Sequence, residues 1–255
     1  MKKLFINLSA VLISTFSIAQ SGALIEFKMT STKGLTGTII NKHSEYGSKV
    51  NMNMAMPQMP GGGIQMTTLM QKDKPDITYT LNESNKTYTE RKKGETKETT
   101  DNNIYTVKKI GEEKVNGYKC IHAIVSSGKE TYDVWNTKDF PDYDKYAEAM
   151  NTNEKMGSSK RQKALKDAGC DGFPVKTIHK GNEREGEMTM ELVKMEKKSY
   201  SKSDFEIPAG YTKSETNSST SPSNPSGVKS QQEIMAMSPE EREKYIEEMK
   251  KKYGK

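Results

Sequence analysis

Apolar and polar residues alternate through most of this chain, and the alternation predicts strands. Lys49 to Met56 sets Val50, Met52, Met54 and Met56 on one side and Asn51 and Asn53 on the other, until Pro57, Pro60 and the glycines at 61–63 end it. Ala23 to Met29, Leu35 to Asn41 and Gln65 to Met70 read the same way. Ile77 to Leu81 and Lys86 to Glu90 carry Tyr and Thr at every second place around a turn at 82–85, which predicts a hairpin with half-exposed strands. Ile104 to Ile110 is a further strand, and Asn116-Gly117 turns the chain into the pair Tyr118 to Ser126 and Glu130 to Asn136. That pair is expected at the centre of the fold. Ile121, Ala123 and Val125 oppose Cys120, His122 and Ile124, and Tyr132 and Val134 oppose Thr131, Asp133 and Trp135, so both faces carry sizeable side chains.

After Trp135 the period changes. Tyr143 to Met150 and Ser159 to Asp167 are helical patterns, but short, charged and poorly amphipathic, so they need the sheet for support and are expected to lie across its concave side as a lid. Strands return at Pro174 to His179 and Glu187 to Met195, and Phe205 to Tyr211 closes the body. About ten strands with clustered helices predict an α+β protein built on an antiparallel open half-barrel. The body spans 20–213. Residues 214–232 are rich in Ser, Thr, Asn and Pro and read as a flexible linker. Residues 233–255 read as a charged helix, with Ser238, Pro239 and Glu241 as a capping box and Ile246, Met249 and Tyr253 as a narrow apolar stripe. Such a helix is either a solvated appendage or a docking element for an envelope protein.

The first residues supply the compartment. Lys2 and Lys3 precede an apolar run from Leu4 to Ile18, with Ser17 and Ala19 at the small-residue positions of a cleavage site, so residues 1–19 are expected to be a signal peptide. Gln20 would then open the mature chain, which provides no cysteine for a lipid anchor, and the location is periplasmic or secreted. With 32% hydrophobic and 29% charged residues, the chain must devote much of its length to solvated faces. The net charge of +6 is spread along Lys-Glu mixtures without a basic stripe, so nucleic acid is not an expected partner. Two cysteines, Cys120 and Cys170, in an exported chain suggest one disulfide, worth about 4 kcal/mol in the loop-entropy account. Two buried thiols are the alternative.

Three histidines, His43, His122 and His179, belong to no metal or hydrolase motif, and no phosphate-binding or dinucleotide glycine pattern occurs. No catalytic residue, cofactor or metal ligand is assigned. The methionines are the strongest compositional signal. Met52, Met54, Met56, Met59, Met66 and Met70 are joined by Met188 and Met190 from a late strand. Three accounts are open: filling of a loose core, the lining of an adaptable apolar cavity, or a soft site for Cu(I). Trp135, the single tryptophan, is a core anchor or a stacking platform.

The export signal followed by a strand, YTLNESNKTYTE, IGEEKVNGYKC, VWNTKDFPDY before a helical insert, GFPVKT, MTMELVKME and FEIPAGY together resemble a bacterial exported domain of unknown function grouped with the LolA-like lipoprotein carriers. The resemblance covers Gly22 to Lys213. It implies an unclosed half-barrel with helices plugging its concave face and acyl chains sheltered there. The chain departs from the carriers in its methionine-rich loop, its long charged insert and its tail, and has no counterpart of the arginine that helps latch the LolA lid. No family catalytic residues carry over. The expected function is non-catalytic binding of a lipid or other apolar small molecule by Met52, Met54, Met56, Met66, Met70, Trp135, Met188 and Met190, in envelope lipid or lipoprotein handling. A copper-binding protein and an interaction scaffold without ligand are the rival readings.

Overall fold

A computed structural model describes residues 20–55, 63–92, 103–128, 130–140, 159–181, 186–214 and 237–253. The expected signal segment 1–19, the helix expected at Tyr143 to Met150, Met56, Met59 and nearly all of the expected linker lie outside the described residues.

The strands are β1 (Gln20–Ser31), β2 (Thr36–Ser44), β3 (Gly47–Ala55), β4 (Gly63–Gln71), β5 (Ile77–Asn82), β6 (Thr87–Lys92), β7 (Thr106–Val115), β8 (Tyr118–Ser127), β9 (Glu130–Thr137), β10 (Phe173–Lys180), β11 (Glu187–Tyr200) and the short β12 (Thr212–Lys213). They form one open sheet in the order β12-β6-β5-β4-β3-β2-β1-β11-β10-β9-β8-β7. Every pairing is antiparallel except β12 with β6. Two runs of successive neighbours, β1 to β6 and β7 to β11, are joined by the pairing of β1 with β11. The expected centre is therefore corrected. β8 and β9 stand second and third from the β7 edge, and the middle of the sheet is the first strand beside a late one. Hairpins are legible from local alternation, whereas the pairing of distant strands is not.

Directly opposed residues point to the same side of a sheet. Tracing partners outward from β1 gives one apolar face: Met29 beside Met190 and Gly37, Phe27 beside Leu192 and Ile39, Ile25 beside Met195 and Asn41. The rows continue to Met54, to Met52 with Met66, and to Val50 with Thr68. Ile25 and Phe27 are almost wholly buried, at 1% and 2% exposure. On the far strands this face turns to threonine, with Thr80 opposite Thr68 and Thr89 opposite Thr80. The opposite face of β4 to β6 holds a separate core of Leu69, Tyr79 and Leu81, packed with Tyr200 and Phe205. A 3-10 turn (Lys202–Phe205) inserts Phe205 there, and Gln71 Nε2 donates to the Phe205 carbonyl at 3.0 Å.

Helix α1 (Ser159–Asp167) falls at the residues expected from the sequence and packs Leu165 with Ala123, Val125, Val134 and Cys170. Val134 pairs with Thr177 and Thr177 with Met190, so α1 lies at the β8–β9 end of the methionine face. Helix α2 (Pro239–Tyr253) starts at the expected capping box: the Ser238 N–H donates to Glu241 Oε2 at 2.8 Å and the Glu241 N–H to Ser238 Oγ at 3.2 Å. Of its stripe, Ile246 is half-buried and Met249 buried. Met249 is 4% exposed, which a lone helix cannot achieve, so other parts of the chain cover it.

The disulfide suggested by Cys120 and Cys170 is not formed. Both are buried free thiols, Cys120 in the central cluster and Cys170 in the one under α1. Each contacts a backbone carbonyl two residues before it, Tyr118 and Ala168. Burial pushes both thiols up, so neither is a reactive thiolate.

Candidate functional site

The apolar face of the central strands gathers most of the residues singled out for ligand contact. Met52 faces Met66 across the β3–β4 ladder, and Met70 faces Ser48 at the far end of the same face, with Met54 on that face too. Met188 and Met190 arrive from β11, opposite His179 and Thr177 of β10. Alternation places these side chains, and the register of β1 between β2 and β11 brings the two groups together. Met54 is buried, whereas Met52, Met66, Met70, Met188 and Met190 are half-buried. Met29 and Met195 belong to the same face, and the sequence reading passed over both. The signal for Met29 was its place in the alternating run Ala23, Ile25, Phe27, Met29, all buried. No comparable signal marked Met195, because a bulge shifts the β1–β11 register between Glu26 and Phe27 and leaves Val193 58% exposed.

Trp135 is a member of the central buried cluster, but the ladder register sets it on the other side of β9. Its neighbour Val134 aligns with Thr177 and Met190, and Trp135 pairs instead with His122 and Lys176 on the other side. There it is the centre of a polar network. His122 stacks on its ring at 4.2 Å between centroids, Lys176 Nζ stands 5.4 Å over it, and its indole N–H donates to Glu113 Oε1 at 2.6 Å. His122 Nε2 lies 3.1 Å from Asp133 Oδ1, and Lys180 Nζ lies 2.9 Å from Asp133 Oδ2. Burial alone would raise the Asp133 carboxyl, but hydrogen bonds from Lys180 and His122 outweigh it and hold the group below the usual carboxylate range. Every polar atom named here has a partner, so this is an anchor for β7 to β10.

An aromatic chain closes the end of the central cluster. Phe27 stacks on Phe173 at 6.1 Å, Phe173 meets Phe140 edge-on at 4.8 Å, and Phe140 meets Tyr118 at 4.7 Å. Asn116, at the tip of the β7–β8 hairpin, donates from Nδ2 to the Leu192 carbonyl at 3.0 Å, beside the β11 irregularity. The chemistry of the methionine face is therefore that of a soft, polarizable, largely uncharged surface. Among the described residues no group of three or more His, Cys, Asp or Glu side chains is disposed to hold a metal.

Residues 22–211 match the family model described as a domain of unknown function (DUF4412). No curated protein matches the sequence. Among solved structures the chain is similar to MucB in complex with MucA(peri), at 10% identity and a TM-score of 0.38, over 75% of this chain and 56% of that one. It is also similar to PNGF-II, at 11% identity and 0.36, over 91% and 34%. A third likeness is to a putative outer membrane lipoprotein-sorting protein domain from Vibrio parahaemolyticus, at 12% and 0.26, over 72% and 88%. The chain thus spans little more than half of the MucB chain and a third of the PNGF-II chain. Likenesses this weak assign neither activity nor ligand.

Proposed function

The chain belongs to this family, the domain of unknown function matched over residues 22–211, and from that premise we propose that it is an exported, non-catalytic protein that binds a lipid or similar apolar molecule against its methionine face. One observation carries the reading. Met52, Met188, Met190 and Met195 are half-buried and pack against a buried floor of Ile25, Phe27, Ile39 and Leu192, and half-buried Met66 stands opposite Met52. Thioether side chains have three rotatable bonds and adapt to guests of varied shape. An acyl chain laid along them gains about 0.8 kcal/mol per buried methylene, enough for firm binding without a polar motif. The segment between Trp135 and Cys170, whose described part α1 packs at one end of this face, is the proposed lid. Export by the N-terminal signal would deliver the protein to the periplasm or outside the cell, where lipid or lipoprotein handling is the matching role. An envelope protein is the fitting macromolecular partner.

Native mass spectrometry and solvent extraction of the purified protein test this, together with uptake of a fluorescent fatty acid. A bound lipid or saturable uptake is expected, and Met52→Ser with Met66→Ser should weaken uptake while the unfolding midpoint changes little. Absence of both co-purified lipid and uptake would refute the reading.

A further inference from the structure

We propose that Met29, Met54 and Met190 form a soft-metal site selective for Cu(I), set into the methionine face at Gly37. Direct partners across the ladders run Met190, Met29, Gly37, Met54 in a single row. Directly opposed residues carry Cβ atoms about 4.5–5.5 Å apart, well within the reach of two thioethers toward a common ion. The glycine is what lets the row converge. A Cβ at position 37 would stand 3.1 Å from Met54 Cγ and 2.7 Å from the Asn53 carbonyl, so the Met54 side chain already lies over the space that any other residue would fill. The Met54 Cγ thus stands over the glycine position that separates Met54 from Met29 in the row. Met29 and Met54 are buried and Met190 is half-buried, which leaves the row approachable from the β11 side. Met188 lies one step along β11 on the same face with His179 directly opposite, offering a fourth sulfur and an imidazole at the rim.

The donor set selects the ion. The row runs on through Thr177 to Val134 and contains no carboxylate or thiol, so Mg2+, Ca2+ and Zn2+ would be offered no ligand in it that suits them. Neutral thioethers suit Cu(I), whose single charge is also the least costly to hold in an apolar surface. Binding is simple coordination through three sulfur lone pairs, with no change of oxidation state. It stands independently of the apolar-ligand reading, since ion and lipid are measured separately.

The test is an anaerobic competition for Cu(I) supplied as its bicinchoninate complex to the delipidated full chain. The protein is expected to withdraw one equivalent. Met54→Leu and Met190→Leu, which nearly conserve volume and so preserve the fold, are expected to weaken binding by at least about tenfold. Met70→Leu, on the same face but in another row, is expected to bind as the parent does. An X-ray absorption spectrum of the copper-loaded parent should show sulfur neighbours, and this readout does not depend on any variant folding. The proposal is overturned if the parent leaves copper with the chelator, if Met54→Leu and Met190→Leu compete as well as the parent, if Met70→Leu loses as much, or if the spectrum shows only nitrogen and oxygen.

Discussion

Asp133 is a side chain whose surroundings set both its charge and its role. It is buried, yet Lys180 and His122 hydrogen-bond its two oxygens and keep its carboxyl below the ordinary range. A depressed folded value means that the stabilisation is present above the unfolded carboxylate value of about 3.9 and is lost as pH falls through the lowered one. Asp133→Asn is therefore expected to cost about 1–3 kcal/mol at neutral pH, and the gap to the parent should narrow as the solution is acidified below the ordinary carboxylate range. Urea unfolding of both proteins at neutral and at acid pH measures it, and an equal gap at both would show that the ionised form is not what matters. Part of this arrangement was legible. The β8–β9 hairpin register puts His122 diagonally beside Asp133, and the alternation placed Trp135 beside them. Lys180 was not foreseeable, because it arrives on β10 after the helical insert. For the same reason Trp135 was grouped with the methionines, since one sequence shows which residues alternate but not which face of one strand continues which face of another.

The β7–β8 hairpin shows how far an element can be read locally. Asn116 and Gly117 have φ of 49° and 90°, the two left-handed positions of a two-residue turn that matches the twist of its strands. The Asn-Gly pair is the strongest short-range sign of such a turn, and it appears in the structure where the sequence placed it. Gly117→Ala is expected to cost about 1 kcal/mol through backbone strain alone, since a Cβ there meets nothing within 4 Å. The denaturation midpoint should fall with an unchanged slope against denaturant. An unchanged midpoint would mean that the turn does not hold this conformation in solution. What the hairpin docks on was hidden: the Asn116 amide reaches a carbonyl 76 positions along the chain, at Leu192.

Across the whole molecule, the sheet is held by its late segments. β11 pairs with β1 in the middle, and residues 200–214 then cross to the far end, where Phe205 is 1% exposed, the Tyr211 hydroxyl donates to Glu83 at 2.7 Å and Lys213 bridges Glu90. A chain ending after Ser214 is expected to unfold cooperatively, losing only about 1.5–3 kcal/mol, what the burial of Met249 contributes. One ending after Tyr200 should lose several kcal/mol, since removing a buried Phe side chain alone typically costs about 3–5 kcal/mol. Circular dichroism melts of the two truncations decide this, and equal stability would demote FEIPAGY to an appendage.

By itself the sequence determined the strands, the turn at Asn116, α1, the cap of α2 and the methionine alternation, because backbone period, turn chemistry and capping act over a few neighbouring residues. Only the tertiary structure decided that β1 lies beside β11, that Met29, Met54 and Met190 share a row over Gly37, that Trp135 faces away from them, and that Cys120 and Cys170 stay apart in separate clusters. Those outcomes follow from the register between strands distant in the chain, and register is chosen by burying every apolar face at once, a condition that no local stretch contains.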